Sequence, residues 1–221
     1  MILLALILLL APATQPNFDD SRADGLIAHG QFLAARSDHA GAIARDEQAL
    51  RLEPSATPAH AWKAASLISL GQLERAEVEI GAALKNEMKD FTYLMIAGRL
   101  AVARGEYDKA GELYGRAAEM SVKNAGIIYA DLASALSSRK EAALDGKIEA
   151  ALKSAAAADP PHLDSLFNLA QSYANANRQE ARATLRRYIE LAGKQPESER
   201  NARQYQLARQ LLRAMEIVNS R

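Results

Sequence analysis

The sequence predicts an all-α chain, a solenoid built from antiparallel helical hairpins. Three observations predict it. Ala42, Ala76 and Ala110 recur 34 residues apart, and each closes a similar phrase. The phrases are Ser37-Asp38-His39-Ala40-Gly41-Ala42, Gly71-Gln72-Leu73-Glu74-Arg75-Ala76 and Gly105-Glu106-Tyr107-Asp108-Lys109-Ala110. Each reads as a tight turn followed by the first turn of a helix, and a fixed period of this length marks a helical-hairpin array. Apolar residues also fall at helical spacing, as in Leu26, Ile27, Gly30, Leu33 and Ala34, and not in alternation. Finally, alanine, the best helix former, is abundant, and a strand-like run occurs only at the N-terminus.

Taken in order, the chain opens with an unbroken apolar run from Met1 to Leu10, then Ala11-Pro12-Ala13 and a polar stretch. This layout reads as a secretory signal peptide cleaved after Ala13. The run lacks a preceding Lys or Arg, so only the α-amino group supplies positive charge there. A helix of residues 1–13 would span roughly 20 Å against a bilayer core of about 30 Å, which favours cleavage over a spanning anchor. The alternative is a short hydrophobic anchor that stays on the chain and gives membrane association. Residues 14–22 follow as a flexible polar leader.

Residues 23–195 divide into five units: 23–56, 57–90, 91–125, 126–162 and 163–195. In the first, Leu26, Gly30, Leu33, Ala42, Ala49 and Pro54 occupy unit positions 4, 8, 11, 20, 27 and 32, while His29 and Asp46 stand at 7 and 24. In the second, Ala64, Leu67, Gly71, Ala76, Ile80 and Ala83 fit, with His60 and Lys63 out of pattern. In the third, Leu94, Ala97, Gly98, Gly105, Ala110, Tyr114 and Ala117 fit. The fourth unit keeps Tyr129, Leu132, Ala133 and Leu136, but its second helix, near 142–158, arrives about three residues late and ends at Asp159-Pro160-Pro161. The fifth is regular again, with Leu166, Leu169, Ala170, Tyr173, Ala181, Leu185 and Ile189. Small residues at 8, 20 and 27 let two helices approach, and large ones at 4, 11 and 24 fill the space between hairpins. A single hairpin cannot bury its own face, so the units must stack. Residues 196–221 form one more amphipathic helix, read as a cap on the last hairpin.

These positions resemble the tetratricopeptide repeat (TPR) family over most of the chain. The resemblance implies a right-handed α-solenoid whose first helices line a concave groove at unit positions 2, 5, 9 and 12. Carried over, the candidate partner-binding residues are Ile27, Gln31, Ile68, Met95, Arg99, Val102, Phe167 and Gln171. Members that clamp a C-terminal carboxylate carry Lys at 5 and Asn at 9 in the first unit. Here Ile27 and Gln31 stand in those places and Thr92 replaces a further Lys, so that mode is not expected. What remains is a mainly apolar groove with one cation, Arg99, near its centre. Such a lining suits an amphipathic helix or an extended apolar segment, with Met95 adapting to its shape and Arg99 pairing with a partner carboxylate.

Signs of catalytic chemistry are missing from the sequence. His29, His39, His60 and His162 show no metal-ligand spacing, and His29 and His60 sit at packing positions. There is no cysteine, hence no thiol nucleophile, no disulfide and no lipidated N-terminal cysteine. No phosphate-binding loop or nucleophile elbow occurs, and the glycines from Gly98 to Gly126 fall at packing or turn positions. Trp62 is expected between helices. Charges balance at 27 basic and 27 acidic residues. From Arg178 onward 10 Lys and Arg face 5 Asp and Glu, about +5, which is too diffuse for nucleic acid. The expected function is therefore a non-enzymatic interaction scaffold without cofactor or metal, exported to the periplasm or cell envelope, with a protein or peptide as partner. The alternative is an accessory subunit of a membrane complex.

Overall fold

A computed structural model describes residues 16–86, 90–174, 177–197 and 201–217. Among them run eleven α-helices and two short 3-10 turns, with no strand. The helices are α1 (Ala23–Ala35), α2 (His39–Leu52), α3 (Thr57–Ser69), α4 (Leu73–Asn86), α5 (Phe91–Ala103) and α6 (Tyr107–Met120). They continue as α7 (Ala125–Ser138), α8 (Asp145–Ala157), α9 (Leu163–Tyr173), α10 (Arg178–Gly193) and α11 (Ala202–Ile217). Helices α1 to α10 pack as five consecutive hairpins, and each hairpin stacks on the next.

The turns explain the 34-residue period. Ser37, Gly71 and Gly105, one unit apart, all adopt positive φ, at 65°, 72° and 78°. After each, the next backbone N–H bonds back to the carbonyl five residues earlier: Asp38 to Leu33, Gln72 to Leu67 and Glu106 to Ala101, each at 2.9 Å. This left-handed helix end satisfies carbonyls that the helix leaves open and reverses the chain. Glycine takes that conformation without strain, whereas serine carries a steric cost. Ser37→Gly is expected to raise the unfolding free energy by about 1 kcal/mol, and Gly105→Ala to lower it by about as much. Urea denaturation of the purified chain measures both.

Packing follows the unit positions. Ala42, Ala76 and Ala110 are fully buried, as are Leu26, Leu67 and Leu94. Gly98 shows why position 8 must be small: a Cβ there would lie 2.6 Å from the ring of Tyr114 at position 24. First helices touch first helices from one hairpin to the next, α1 to α3, α3 to α5 and α5 to α7, while no comparable contact joins successive second helices. The first helices therefore form the inner side of the curve.

The fourth hairpin departs as its sequence does. A 3-10 turn, Ala142–Leu144, precedes α8, and the chain leaves α8 through Asp159, Pro160 and Pro161. The Pro160 carbonyl and His162 crowd Gly126 at the start of α7, and a Cβ on Gly126 would come within 3.1 Å of that carbonyl. Helix α9 then packs on α8, with less contact to α7 than successive first helices make in the earlier hairpins.

At the C-terminus α11 lies against α10. Ala208 is fully buried, the Tyr188 hydroxyl donates to Gln204 at 3.0 Å, and Arg186 pairs with Glu216 at 2.7 Å. At the other end the polar leader touches the first hairpin. Phe18 stacks on His29 with ring centroids 4.7 Å apart, and Asp20 pairs with His29 at 3.0 Å and with Arg45 at 3.4 Å. The apolar run 1–13, on which the expected export signal or anchor rests, lies outside the described residues. Among the described residues no helix is long and apolar enough to cross a membrane.

Candidate functional site

Three hollows lie on the first-helix side, and Arg99 borders all of them. The first, about 340 Å³, lies between α3, α5 and α7 and is walled by Trp62, Phe91, Met95, Ile96, Ile127 and Ile128. Its polar edge is Thr92, Asn124 and Arg99. The second, about 330 Å³, is formed by Ile68, Val102 and Ala103 against Asp131, Ser134, Ala135, Ser138 and Arg139. The third, about 180 Å³, lies between α1, α2 and α3 and is lined by Gly30, Gln31, Ala34, His39, Asp46, Trp62, Ala65, Ser66 and Ser69.

Of the residues expected to line a groove, Gln31, Ile68, Met95, Arg99 and Val102 border these hollows. Val102 does so while almost wholly buried. The other three lie elsewhere. Ile27 packs against Leu26, Ala49, Ala56 and Ala59 at the first hairpin. Phe167 is 5% exposed and packs against Tyr188 with ring centroids 5.5 Å apart, so it belongs to the core and not to an open surface. Gln171 is exposed but borders none of the three. For Phe167 and Gln171 the fourth hairpin intervenes. After its late second helix and the Pro160-Pro161 exit, α9 packs mainly on α8 and α10, and the hollows at Arg99 do not extend to it.

Arg99 also differs from expectation, because its guanidinium already has a carboxylate. Its Nε donates to Asp131 Oδ2 at 2.9 Å, and a second N–H of the same guanidinium donates to Asp131 Oδ1. The Tyr114 hydroxyl donates to Asp131 Oδ2 at 2.5 Å. One carboxylate on α7 thus fastens α5 and α6 together. The hydrogen bonds that Arg99 donates to Asp131 hold its pKa above the usual value, and burial pushes the Tyr114 hydroxyl up. Cutting Asp131 to alanine leaves a buried hydroxyl and a half-exposed guanidinium without their acceptor. A loss of about 1–3 kcal/mol is expected from urea denaturation.

A second polar network joins the first two hairpins. His60 Nδ1 meets Glu79 Oε2 at 2.6 Å, and Lys63 Nζ reaches Glu79 Oε1 at 2.9 Å and Glu47 Oε1 at 3.3 Å. These contacts offset burial and hold Glu79 below the usual carboxylate range. His29, His60 and Lys63, the out-of-pattern residues, are thus accounted for by carboxylates on neighbouring segments.

Asp46 is the exception. It is fully buried, and neither carboxylate oxygen has a hydrogen-bond partner among the described residues. Burial pushes its carboxyl up to about 8, with Glu47 and Glu79 adding to the rise and Lys63 opposing it. The only sign of this in the sequence is that an acid stands at position 24, where Ile80 and Tyr114 stand one and two units later. Trp62, half-buried, lines two of the three hollows instead of being lost between helices.

No family model matches the chain, and no curated protein matches it. Solved structures do. Yeast Tom70 aligns over 99% of this chain and 47% of its own, with a TM-score of 0.62 and 15% identity. PilF of Pseudomonas aeruginosa aligns over 90% of both chains, with a TM-score of 0.60 and 17% identity. TTC0263, a TPR protein of Thermus thermophilus, covers 86% of this chain and 98% of its own, with a TM-score of 0.56 and 19% identity. The chain has the fold of a tetratricopeptide repeat array, an all-α solenoid of paired helices.

Proposed function

We propose that this chain is a non-enzymatic scaffold that holds a peptide or helix of a partner protein in the groove formed by α1, α3, α5 and α7. One observation carries this reading: three hollows on the inner side of the curve are all bordered by Arg99. The hollow beside Met95 is the best seat for apolar side chains, since Ile127 on its rim is 60% exposed. An exposed isoleucine next to Trp62, Met95 and Phe91 is the kind of contiguous apolar surface that marks an interaction site. Because Asp131 already fastens Arg99, the centre of the groove offers a fixed hydrogen-bonding edge in place of an unpaired cation. The Met1 to Leu10 run supports export of the mature chain to the periplasm or envelope. A mature N-terminus at Thr14, read by mass spectrometry, is the result this implies.

The test of the groove is a random-peptide display selection against the purified chain, followed by fluorescence anisotropy. Ile127→Asp should weaken the selected peptides at least tenfold, while Val78→Asp, on the exposed face of α4, should leave them unchanged. Equal binding by wild type and Ile127→Asp would remove the groove from the account.

A further inference from the structure

In the second and third units, position 24 carries Ile80 and Tyr114 against the small residue at position 8. In the first unit Asp46 takes that place, and its carboxylate oxygen lies 3.1 Å from where a Cβ on Gly30 would be. An aspartate is far shorter than a tyrosine, and beside it opens the cavity of about 180 Å³ that reaches the groove. Both Asp46 oxygens and the Nδ1 of His39, which lines the same cavity, are buried without a partner among the described residues. Buried carboxylates in native proteins are paired, because leaving one unpaired is costly.

Nearby cations are committed elsewhere. Lys63 is held by Glu47 and Glu79, and Arg99 is closed on Asp131. Glu47 is also met by Arg75 at 3.7 Å and Glu79 by His60, so these cations are held by Glu47 and Glu79, while Asp46 has no partner among the described residues. Of these three carboxylates, that of Asp46 alone is left without a cation, and Trp62 forms part of the cavity wall. A buried carboxylate beside an aromatic face is the pair of groups that recognises an alkylammonium, one by charge and the other by cation–π contact and by covering the methylene stem.

We propose that this cavity receives a lysine side chain from the segment bound in the groove, its ammonium pairing with Asp46 and its stem lying along Trp62. The source of the lysine rests on the groove reading above, but the cavity is testable without it. An entering ammonium favours the ionised carboxylate, so binding also releases the proton that burial retains on Asp46.

The probes are Nα-acetyl-lysine N-methylamide and its norleucine counterpart, titrated into the nitrogen-15-labelled chain. The reporter is the indole N–H resonance of Trp62, unambiguous because the chain has one tryptophan. The lysine probe should shift this resonance saturably, Asp46→Asn should weaken it at least tenfold, and the norleucine probe should leave the resonance in place. Equal shifts from both probes, an unaltered titration in Asp46→Asn, or no shift at all would overturn the proposal. Peptide binding at the Met95 hollow without lysine-probe binding would likewise sink this site and leave the groove standing. Lysine-probe binding lost in Asp46→Asn would support the site even if no peptide binds.

Discussion

Replacing Tyr114 by alanine is expected to cost about 3–5 kcal/mol. Tyr114 is fully buried, and its ring lies so close to Gly98 that a single added carbon there would collide with it. Removing the ring leaves a void between α5 and α6 that neither helix can close without breaking the turn at Gly105. It also removes the hydroxyl that orients Asp131, and with it the fixed position of Arg99. Tyr114→Phe separates the two contributions. It keeps the ring and should lose only about 1–3 kcal/mol, the worth of a hydrogen bond to a charged acceptor. Paired urea melts of the two variants give both numbers, and a Tyr114→Ala loss no larger than that of Tyr114→Phe would contradict the packing described.

Asp46 is expected to act in the opposite direction. Its folded carboxyl sits at about 8, whereas an unfolded aspartate titrates near 3.9. The folded chain therefore binds the proton more tightly than the unfolded one. That preference stabilises the fold below about pH 4 and is lost progressively as pH rises to about 8. Asparagine is neutral at every pH and nearly the same shape. Asp46→Asn should thus match wild type at about pH 4 and exceed it by on the order of 4 kcal/mol at pH 7 and above. Denaturation of both proteins across this range measures the difference, in which titrations common to the two cancel. Parallel curves at all pH values would mean that Asp46 is solvated. A residue that costs this much stability in a regular position is the kind of local conflict found at functional sites.

Much of this is legible in the sequence, for physical reasons. Helical hairpins are local structures, so the positions of Ala42, Gly71 and Gly98 report turns and contacts within some twenty residues. The displaced second helix of the fourth unit is equally readable, since its apolar register and Pro160 lie in one stretch. Contacts across hairpins are harder. Nothing local marks Asp131 as the partner of Arg99, 32 residues away on the next first helix. Phe167 lies in the core because it packs on Tyr188 of α10, a contact that the family's groove register does not mark. Asp46 is visible only as a break in pattern. Its burial follows from Gly30 on one side and the stacked second hairpin on the other, which a single unit does not reveal.

The most direct test of the groove is photo-crosslinking in the native cell. A benzoylphenylalanine placed singly at Gln31, Met95 or Ser134 samples the three hollows in turn, and one at Val78 on α4 or Leu207 on α11 samples surfaces outside the groove. The account predicts a shared protein adduct from the groove positions and none from Val78 or Leu207. Adducts from Val78 or Leu207 with none from the groove would contradict it.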